Sequence, residues 1–301
     1  MKRQIIHING CPTGWNQLTT AQLEWLLTVY ARFGSDPVML QTVALLGLND
    51  LKVLREDAID DDDEQFYLVR EQKPGGLFAR RSWRTFPISA DTLRYFGDVF
   101  MKFLHKPCTL TRFPYPSLRV GWLHFAGPGD RICRMNWMQY SDCARLHADY
   151  LTLDARVSKM EEKGTTRKQL RAAMRDRDEQ LGYFLSALFT PEGKTYTQSQ
   201  TTRHYRCMMR LSDTRKQLCL LYWSGCMAYL QKQYRYLFTD SGSGKSDNDP
   251  LAQIASIQAI LSDRLKMDTS HICNEPAHVI LRHLDTMQHE AKIHEQAMNR
   301  K

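Results

Sequence analysis

Residues 218–230, with the sequence LCLLYWSGCMAYL, form the most apolar run of this 301-residue chain. They lie in a longer segment, 212–238, in which Ser212 can cap the start of a helix. Aromatic residues fall on nearly every side of that helix, and a helix that is apolar all round is buried. The segment therefore predicts a long central helix from Ser212 to Phe238. Burial in a groove of a partner protein is the alternative interpretation.

The rest of the second half also has helical patterns. Residues 166–189 repeat apolar side chains at helical spacing. Asp249-Pro250 and Glu275-Pro276 are typical helix starts, because proline suits the first helical position. The polar run 240–249 predicts a flexible linker.

Helix starts in the first half are predicted by capping residues. Thr19 and Gln22 form a capping-box pattern, Asp36-Pro37 predicts a second start, and Ser89 a third. Asn136, followed three residues later by Gln139, predicts a further start beyond them.

Short strands separate these helices. Strands are predicted at 66–69, 84–88 and 118–125, and the acidic run 56–64 is predicted to be a solvated loop. The fold class is therefore mainly α, a helical bundle with a small β-hairpin-containing α+β part in the N-terminal half.

These patterns divide the chain into four parts. We expect an α+β part at 1–156, a helical part with the long apolar helix at 157–239, a flexible linker at 240–249 and a C-terminal helical pair at 250–301.

Charge and cysteine usage limit the class of protein. The net charge is +8, and the excess lies mostly after residue 150, where 23 Lys/Arg oppose 17 Asp/Glu. None of the eight cysteines forms a C-x-x-C pair, which indicates reduced thiols in the cytosol. The N-terminus lacks a signal-peptide core, and the run 218–230 is shorter than the ~20 residues of a membrane span. The sequence predicts a cytoplasmic protein without a membrane anchor.

Motifs that suggest catalysis each lack a required feature. Gly242-Ser243-Gly244-Lys245-Ser246 resembles a phosphate-binding loop, but Thr239 stands where the motif needs glycine. His204-Tyr205-Arg206 lacks the recombinase spacing, which would need arginine in place of Cys207. Histidines of the C-terminal helix lie five residues apart and not four. The sequence therefore predicts a protein that is not an enzyme and that has no metal or cofactor.

The densest basic stretch spans residues 159–177. Arg167, Arg171 and Arg175 are four residues apart, so a helix would align them in a stripe that could contact nucleic-acid phosphates. A solvated helix face is the alternative, because acids interleave and Glu179 lies four residues after Arg175. The residues predicted to contact nucleic acid are Lys163, Arg167, Lys168, Arg171 and Arg175.

Apolar helix faces after the linker predict an interface for a protein partner, with the oligomeric state left open. The predicted interface residues are Ile254, Ile257, Leu261, Ile280, Leu284 and Met287.

Several blocks resemble a group of uncharacterised proteins of phages and prophages of Bacteroidetes-type bacteria, encoded near tail-assembly genes. Trp15-Asn16-Gln17-Leu18-Thr19-Thr20-Ala21-Gln22-Leu23 is similar to their Trp-x-x-Leu-Thr-x-x-Gln-Leu pattern. Further similar blocks are Phe113-Pro114, 125–130, 135–140, 185–191 and 234–238. The blocks are short but span most of the chain.

The resemblance implies a non-enzymatic virion (tail) assembly or chaperone-like protein. It would act in the bacterial host cell by burying partner helices, and it could be incorporated in a virion. The alternative from charge is a nucleic-acid-binding accessory protein of a phage or mobile element that uses residues 159–177.

Overall fold

A computed structural model describes residues 11–49, 51–58, 65–72, 83–238, 261–263 and 268–299. The fold is mainly α with a small β part, as the sequence predicted, and the β part consists of two antiparallel sheets of three strands each. The chain forms two units, Met1–Leu110 and Thr111–Lys301. The predicted boundary at 156 falls inside a continuous helix, Trp137–Glu162. The predicted linker at 240–249 lies outside the described residues.

Unit 1 combines three helices with one sheet. The helices are α1 (Thr20–Phe33), α2 (Pro37–Leu48) and α3 (Ala90–Phe100), and the strands are β1 (Leu51–Ala58), β2 (Gln65–Gln72) and β3 (Trp83–Ser89). The strand order is β1-β2-β3, and both pairings are antiparallel. Helix α2 packs against α1 and α3.

The helix starts of unit 1 are those that the sequence predicted. The hydroxyl of Thr19 accepts from the Gln22 amide at 3.3 Å, and the Gln22 side chain accepts from the Thr19 amide at 2.9 Å. Asp36 caps α2 by accepting from Met39 at 3.0 Å, and Ser89 caps α3. Local side-chain hydrogen bonds thus define where these helices begin.

The first three residues of the acidic run depart from the predicted loop, and residues 59–64 lie outside the described residues. Residues 56–58 belong to β1, and their backbone pairs with residues 65–67 of β2. Strand β1 lies at the edge of the described sheet, so its backbone pairs with one neighbouring strand, β2. Backbone pairing with β2 therefore overrides the composition of this segment.

Unit 2 contains the longer helices and the second sheet. The helices are α4 (Trp137–Glu162), α5 (Arg167–Leu188), α6 (Gln198–Met208), α7 (Asp213–Gln233), α8 (Thr269–Asn274) and α9 (Ala277–Met298). The strands are β4 (Ser117–Val120), β5 (Leu123–Ala126) and β6 (Thr190–Pro191). Helices α4 and α5 are joined by four residues and pack along each other as a hairpin, and α6 packs on α5.

Helix α7 supplies much of the core of unit 2, as its apolar sequence predicted. Tyr222 and Trp223 are among the most buried side chains. The Trp223 ring lies 5.7 Å from that of Phe184, and the Tyr222 ring lies 4.6 Å from that of Phe113. These aromatics are therefore covered by the chain's own fold and not by a partner.

The central helix is shorter than predicted. It ends at Gln233 and not at Phe238. The carboxylate of Asp285 on α9 accepts from the amides of Tyr236 and Leu237, at 2.8 and 2.9 Å. These hydrogen bonds to another helix hold residues 236–237 outside the helical ladder.

The predicted strand at 118–125 is in fact two strands. Strands β4 and β5 form a hairpin in which Val120 pairs with Leu123. Gly121 and Trp122 make the turn, with φ of +63° at Gly121. Glycine with positive φ at the first central position is what a type II′ turn requires, so a glycine within a strand pattern marked a reversal here.

Among the described residues, no helix is long and apolar enough to cross a membrane.

Candidate nucleic-acid interface

The outer end of the α4–α5 hairpin is strongly cationic. We call residues 156–175 the basic tip; they contain seven Lys/Arg and two Glu. All seven cations are exposed. They are Arg156, Lys159, Lys163, Arg167, Lys168, Arg171 and Arg175. A surface of this kind presents a positive potential to any anionic partner.

Nearby acids do little to neutralise the basic tip. Among the described residues, only Arg175 of the seven forms an ion pair, and its Nε lies 4.0 Å from Asp176 Oδ1. The pair of Arg175 with Glu179 that the sequence suggested is not formed. Glu179 instead accepts from the hydroxyl of Tyr183 at 3.0 Å.

Arg177 forms ion pairs with two further carboxylates. Its guanidinium donates to Asp178 at 2.8 Å and to Asp154 at 3.3 Å, which links α5 to α4. Two of the interleaved acids that favoured a neutral, solvated helix face, Asp178 and Glu179, therefore contact groups outside the basic tip, and the third, Asp176, makes the long pair with Arg175. The charge of the basic tip remains available to a partner.

A cleft between α5 and α6 adjoins the basic tip. Its volume is about 470 Å³. We call it the arginine cleft; it is lined by Arg171, Met174, Arg175, Asp178, Glu179, Tyr205, Arg206 and Met209. Arg171 and Arg175 belong to both regions, so the cationic surface of the tip continues into the cleft.

Gly182 allows the close approach of α5 and α6 beside this cleft. A Cβ at this position would lie 2.9 Å from the sulfur of Met209 and 3.4 Å from the carbonyl oxygen of Tyr205. The absence of a side chain at 182 thus lets the backbone of α6 lie against α5.

Two tyrosines form the aromatic part of this region. The rings of Tyr183 and Tyr205 lie 4.5 Å apart, and Arg206 donates through Nε to the Tyr205 hydroxyl at 3.1 Å. Burial, together with the Glu179 carboxylate that its hydroxyl contacts, raises the pKa of Tyr183 to about 12. The Tyr183 hydroxyl therefore remains protonated at neutral pH and keeps Glu179 in place.

A second row of arginines lies on α6. Arg203, Arg206 and Arg210 have i, i+3, i+7 spacing and are exposed, although Arg210 follows the end of the helix. Because side chains at this spacing share a helix side, one arginine row lies on each of two packed helices. Sequence analysis missed this row because it weighed Arg206 only as part of a recombinase motif.

A buried hydrogen-bond network positions the start of α6. The hydroxyl of Tyr196 donates to Asp142 of α4 at 2.8 Å and lies 2.9 Å from the hydroxyl of Thr201 on α6. Burial and the Asp142 charge raise the pKa of Tyr196 well above its usual range. The neutral phenol therefore ties α6 to α4.

The structure places the predicted nucleic-acid residues together on one end of unit 2. Lys163 is the C-cap of α4, Arg167 and Lys168 begin α5, and Arg171 and Arg175 reach the arginine cleft. All five are exposed, so each is accessible to a phosphate.

The predicted partner-interface residues are placed differently. Leu261, Ile280 and Leu284 are 0%, 0% and 6% exposed, and Met287 is half-buried. Helix α9 packs on α4, so the chain itself covers three of the four predicted interface residues that the structure describes. Ile254 and Ile257 lie outside the described residues, as does the phosphate-loop-like stretch 242–246.

Two histidines of α9 contact other residues of the fold. His278 lies 2.9 Å from the Tyr234 hydroxyl and 2.7 Å from the carbonyl oxygen of Arg131, and His289 stacks on Tyr236. The described residues contain no group of three or more His, Cys, Asp or Glu side chains arranged to hold a metal ion.

No protein-family model, curated protein or solved structure matches the chain. The similarity to phage and prophage proteins therefore stays a prediction from short blocks.

Proposed function

We propose that this protein binds nucleic acid through the basic tip and the arginine cleft. The observation that carries the proposal concerns the seven exposed cations of the basic tip. Among the described residues, these cations form a single ion pair, which is long at 4.0 Å. Cations that are not neutralised within the fold are available to neutralise phosphates. The protein would be an accessory protein of a phage or mobile element.

The chemistry of the side chains supports a phosphate partner. Four of the seven cations are arginines, and Arg206 lines the cleft with two of them. Arginine presents a planar fork of donors that matches phosphate oxygens. Arg167, Arg171 and Arg175 span nine residues of α5, a rise of about 12 Å along the helix axis. A stripe of this length can follow several phosphates of one strand.

The arginine cleft adds apolar and aromatic surface to this charge. Tyr205, Met174 and Met209 line the cleft together with the arginines. Basic grooves that contain aromatic side chains are typical of proteins that bind nucleic acid with little sequence preference. The carboxylates of Asp178 and Glu179 also line the cleft and would limit how far a phosphate chain enters.

Fluorescence anisotropy with a labelled 20-nucleotide oligonucleotide tests this proposal. We expect Arg167→Ala/Arg171→Ala/Arg175→Ala to weaken binding at least tenfold, because three phosphate contacts are lost. The matched control is Lys52→Ala/Lys102→Ala/Lys106→Ala, which removes the same charge from exposed positions of unit 1. Equal loss in both variants would mean that binding follows net charge and would contradict the proposed site.

A second candidate function is the assembly role that the resemblance implies. A groove of about 710 Å³ runs along α4 and is lined by Leu151, Thr152, Ala155, Arg156, Lys159, Met160 and Lys163. Leu151 is 50% exposed there. We propose as its occupant an amphipathic helix with an acidic edge, because apolar residues of the groove lie beside three cations.

The two candidates respond differently to substitution. Leu151→Asp would oppose the docking of an apolar helix face but would leave the arginines of α5 unchanged. If a purified tail-protein helix binds the wild type and not this variant, while an oligonucleotide binds neither, the assembly role replaces the nucleic-acid role. Such a protein would act inside the bacterial host cell.

A further inference from the structure

Trp122 is the most exposed large apolar side chain among the described residues, with 87% of its surface accessible. It occupies the second position of the β4–β5 turn, whose geometry depends on Gly121. A type II′ turn does not require an aromatic residue at that position. The fold therefore gives no structural reason for tryptophan at the tip of a tight hairpin.

The outward face of this hairpin is polar and basic. Arg119 and His124 pair directly across the two strands and are both exposed, whereas Leu118 and Phe125 on the opposite face are buried. Trp122 thus extends from the end of a short ribbon that carries Arg119, whose Nε donates to the carbonyl oxygen of Gly121 at 3.0 Å.

Further cations lie next to the hairpin. The ring of His204 on α6 packs edge-on against Phe125 of β5, with centroids 5.5 Å apart. Burial, and then the charges of Arg203 and Lys194, lower the pKa of His204. Arg203 precedes His204 on α6, and Lys194 follows Glu192, whose amide donates to the carbonyl oxygen of His124 at 3.0 Å, so two cations and one acid flank the base of the hairpin.

The β4–β5 hairpin and the basic tip lie at opposite ends of α5. Strand β5 pairs with β6, which begins two residues after α5 ends. From Arg171 to Thr190 the helical rise gives a separation of about 28 Å. Helix α6 returns along α5 with Arg203 and Arg206 exposed between the two ends. Cations thus continue from the arginine cleft towards Trp122.

We infer that the bound polymer is single-stranded nucleic acid and that Trp122 stacks on one of its unpaired bases. This inference rests on the proposed function. Proteins that bind single strands combine a cationic path for the backbone with aromatic side chains on which bases stack. Paired bases are stacked within a duplex and do not offer a face to a tryptophan in this way. The hairpin therefore makes the site selective for unpaired strands.

Anisotropy with a labelled dT20 strand and a 20-base-pair duplex tests the inference. We expect wild-type protein to prefer dT20. We expect Trp122→Ala to weaken dT20 binding at least about fivefold, since a stacked base contributes ~1–3 kcal/mol, and to leave duplex binding unchanged. Trp122→Phe should retain most of the affinity. Tyr95→Ala is the matched control, because Tyr95 is a 65% exposed aromatic in unit 1.

The outcomes separate the two proposals. Equal affinity of Trp122→Ala and wild type for dT20, with binding still lost in the Arg167/Arg171/Arg175 variant, would overturn the stacking role and leave the proposed function intact. An equal loss for duplex and dT20 would also overturn it, because the contact would not depend on an unpaired base. No binding of either polymer by wild type would overturn both proposals.

Discussion

The inner and outer ends of the α4–α5 hairpin differ in the contacts that their side chains make. At the inner end, Phe184 is fully buried against Trp223, and the Gln139 side chain donates to the carbonyl oxygens of Ala187 and Leu188 at 2.9 and 3.3 Å. At the outer end, the seven cations of the basic tip are exposed.

This difference separates the residues that stabilise the fold from those that are free to bind. The inner end satisfies buried polar groups and fills the core, so its residues are constrained by folding. The outer end makes few such contacts, and its concentration of positive charge opposes compactness by self-repulsion. A role in binding accounts for a charge pattern that folding does not need.

The largest effect is expected in the core of the inner end. Phe184→Ala should lower the free energy of unfolding by about 3–5 kcal/mol, because a fully buried ring is removed and a cavity remains. Urea unfolding followed by circular dichroism measures this change. A loss below about 1 kcal/mol would mean that the two ends do not differ as described.

A smaller effect is expected at the hydrogen bonds of the inner end. Gln139→Leu removes the donor to the last carbonyl groups of α5 and should cost about 1–3 kcal/mol, because these acceptors stay buried. The control is Gln169→Leu at the exposed tip, for which we expect a change within about 0.5 kcal/mol. Similar losses in both variants would contradict the comparison.

Lowering the pH should also destabilise the inner end of the hairpin. His147 packs on Phe184 at 5.3 Å between centroids, and burial lowers its pKa from the usual 6.5. Because the unfolded chain binds a proton at this residue more readily than the folded one, stability present above pH 6.5 is lost as the pH falls. Thermal unfolding between pH 7 and pH 5 measures the loss. His147→Phe should make the pH dependence shallower, and an unchanged slope would show that His147 is not its source.

The smallest effect on stability is expected at the basic tip. Arg167→Ala, Arg171→Ala and Arg175→Ala should each change the free energy of unfolding by no more than about 0.5 kcal/mol, since none fills the core. The same urea titration measures them. A destabilisation above about 1 kcal/mol would assign these arginines a structural role instead.

Local signals in the sequence predicted much of the fold. The capping residues Thr19, Asp36 and Ser89 predicted the starts of α1, α2 and α3, because a cap acts within four residues of chain. The burial of Trp223 followed from the apolar character of α7. Sequence could not predict the end of α7, which depends on Asp285 from a distant helix.

The site was predictable only in part, for physical reasons. The spacing of Arg167, Arg171 and Arg175 predicted one stripe, but the packing of α6 that brings Arg206 beside it depends on tertiary contacts. An amphipathic face does not reveal what covers it. Ile280 and Leu284 were therefore assigned to a partner although the chain itself buries them.

The salt dependence of oligonucleotide binding tests the central claim most directly. We expect the logarithm of the association constant of wild-type protein for dT20 to fall linearly with the logarithm of salt concentration. The Arg167→Ala/Arg171→Ala/Arg175→Ala variant should lower the magnitude of the slope by about 2, since each phosphate contact on a single strand contributes about 0.7. The unit 1 control triple should keep the wild-type slope. A wild-type slope in the tip variant would contradict the claim that these arginines bind phosphates.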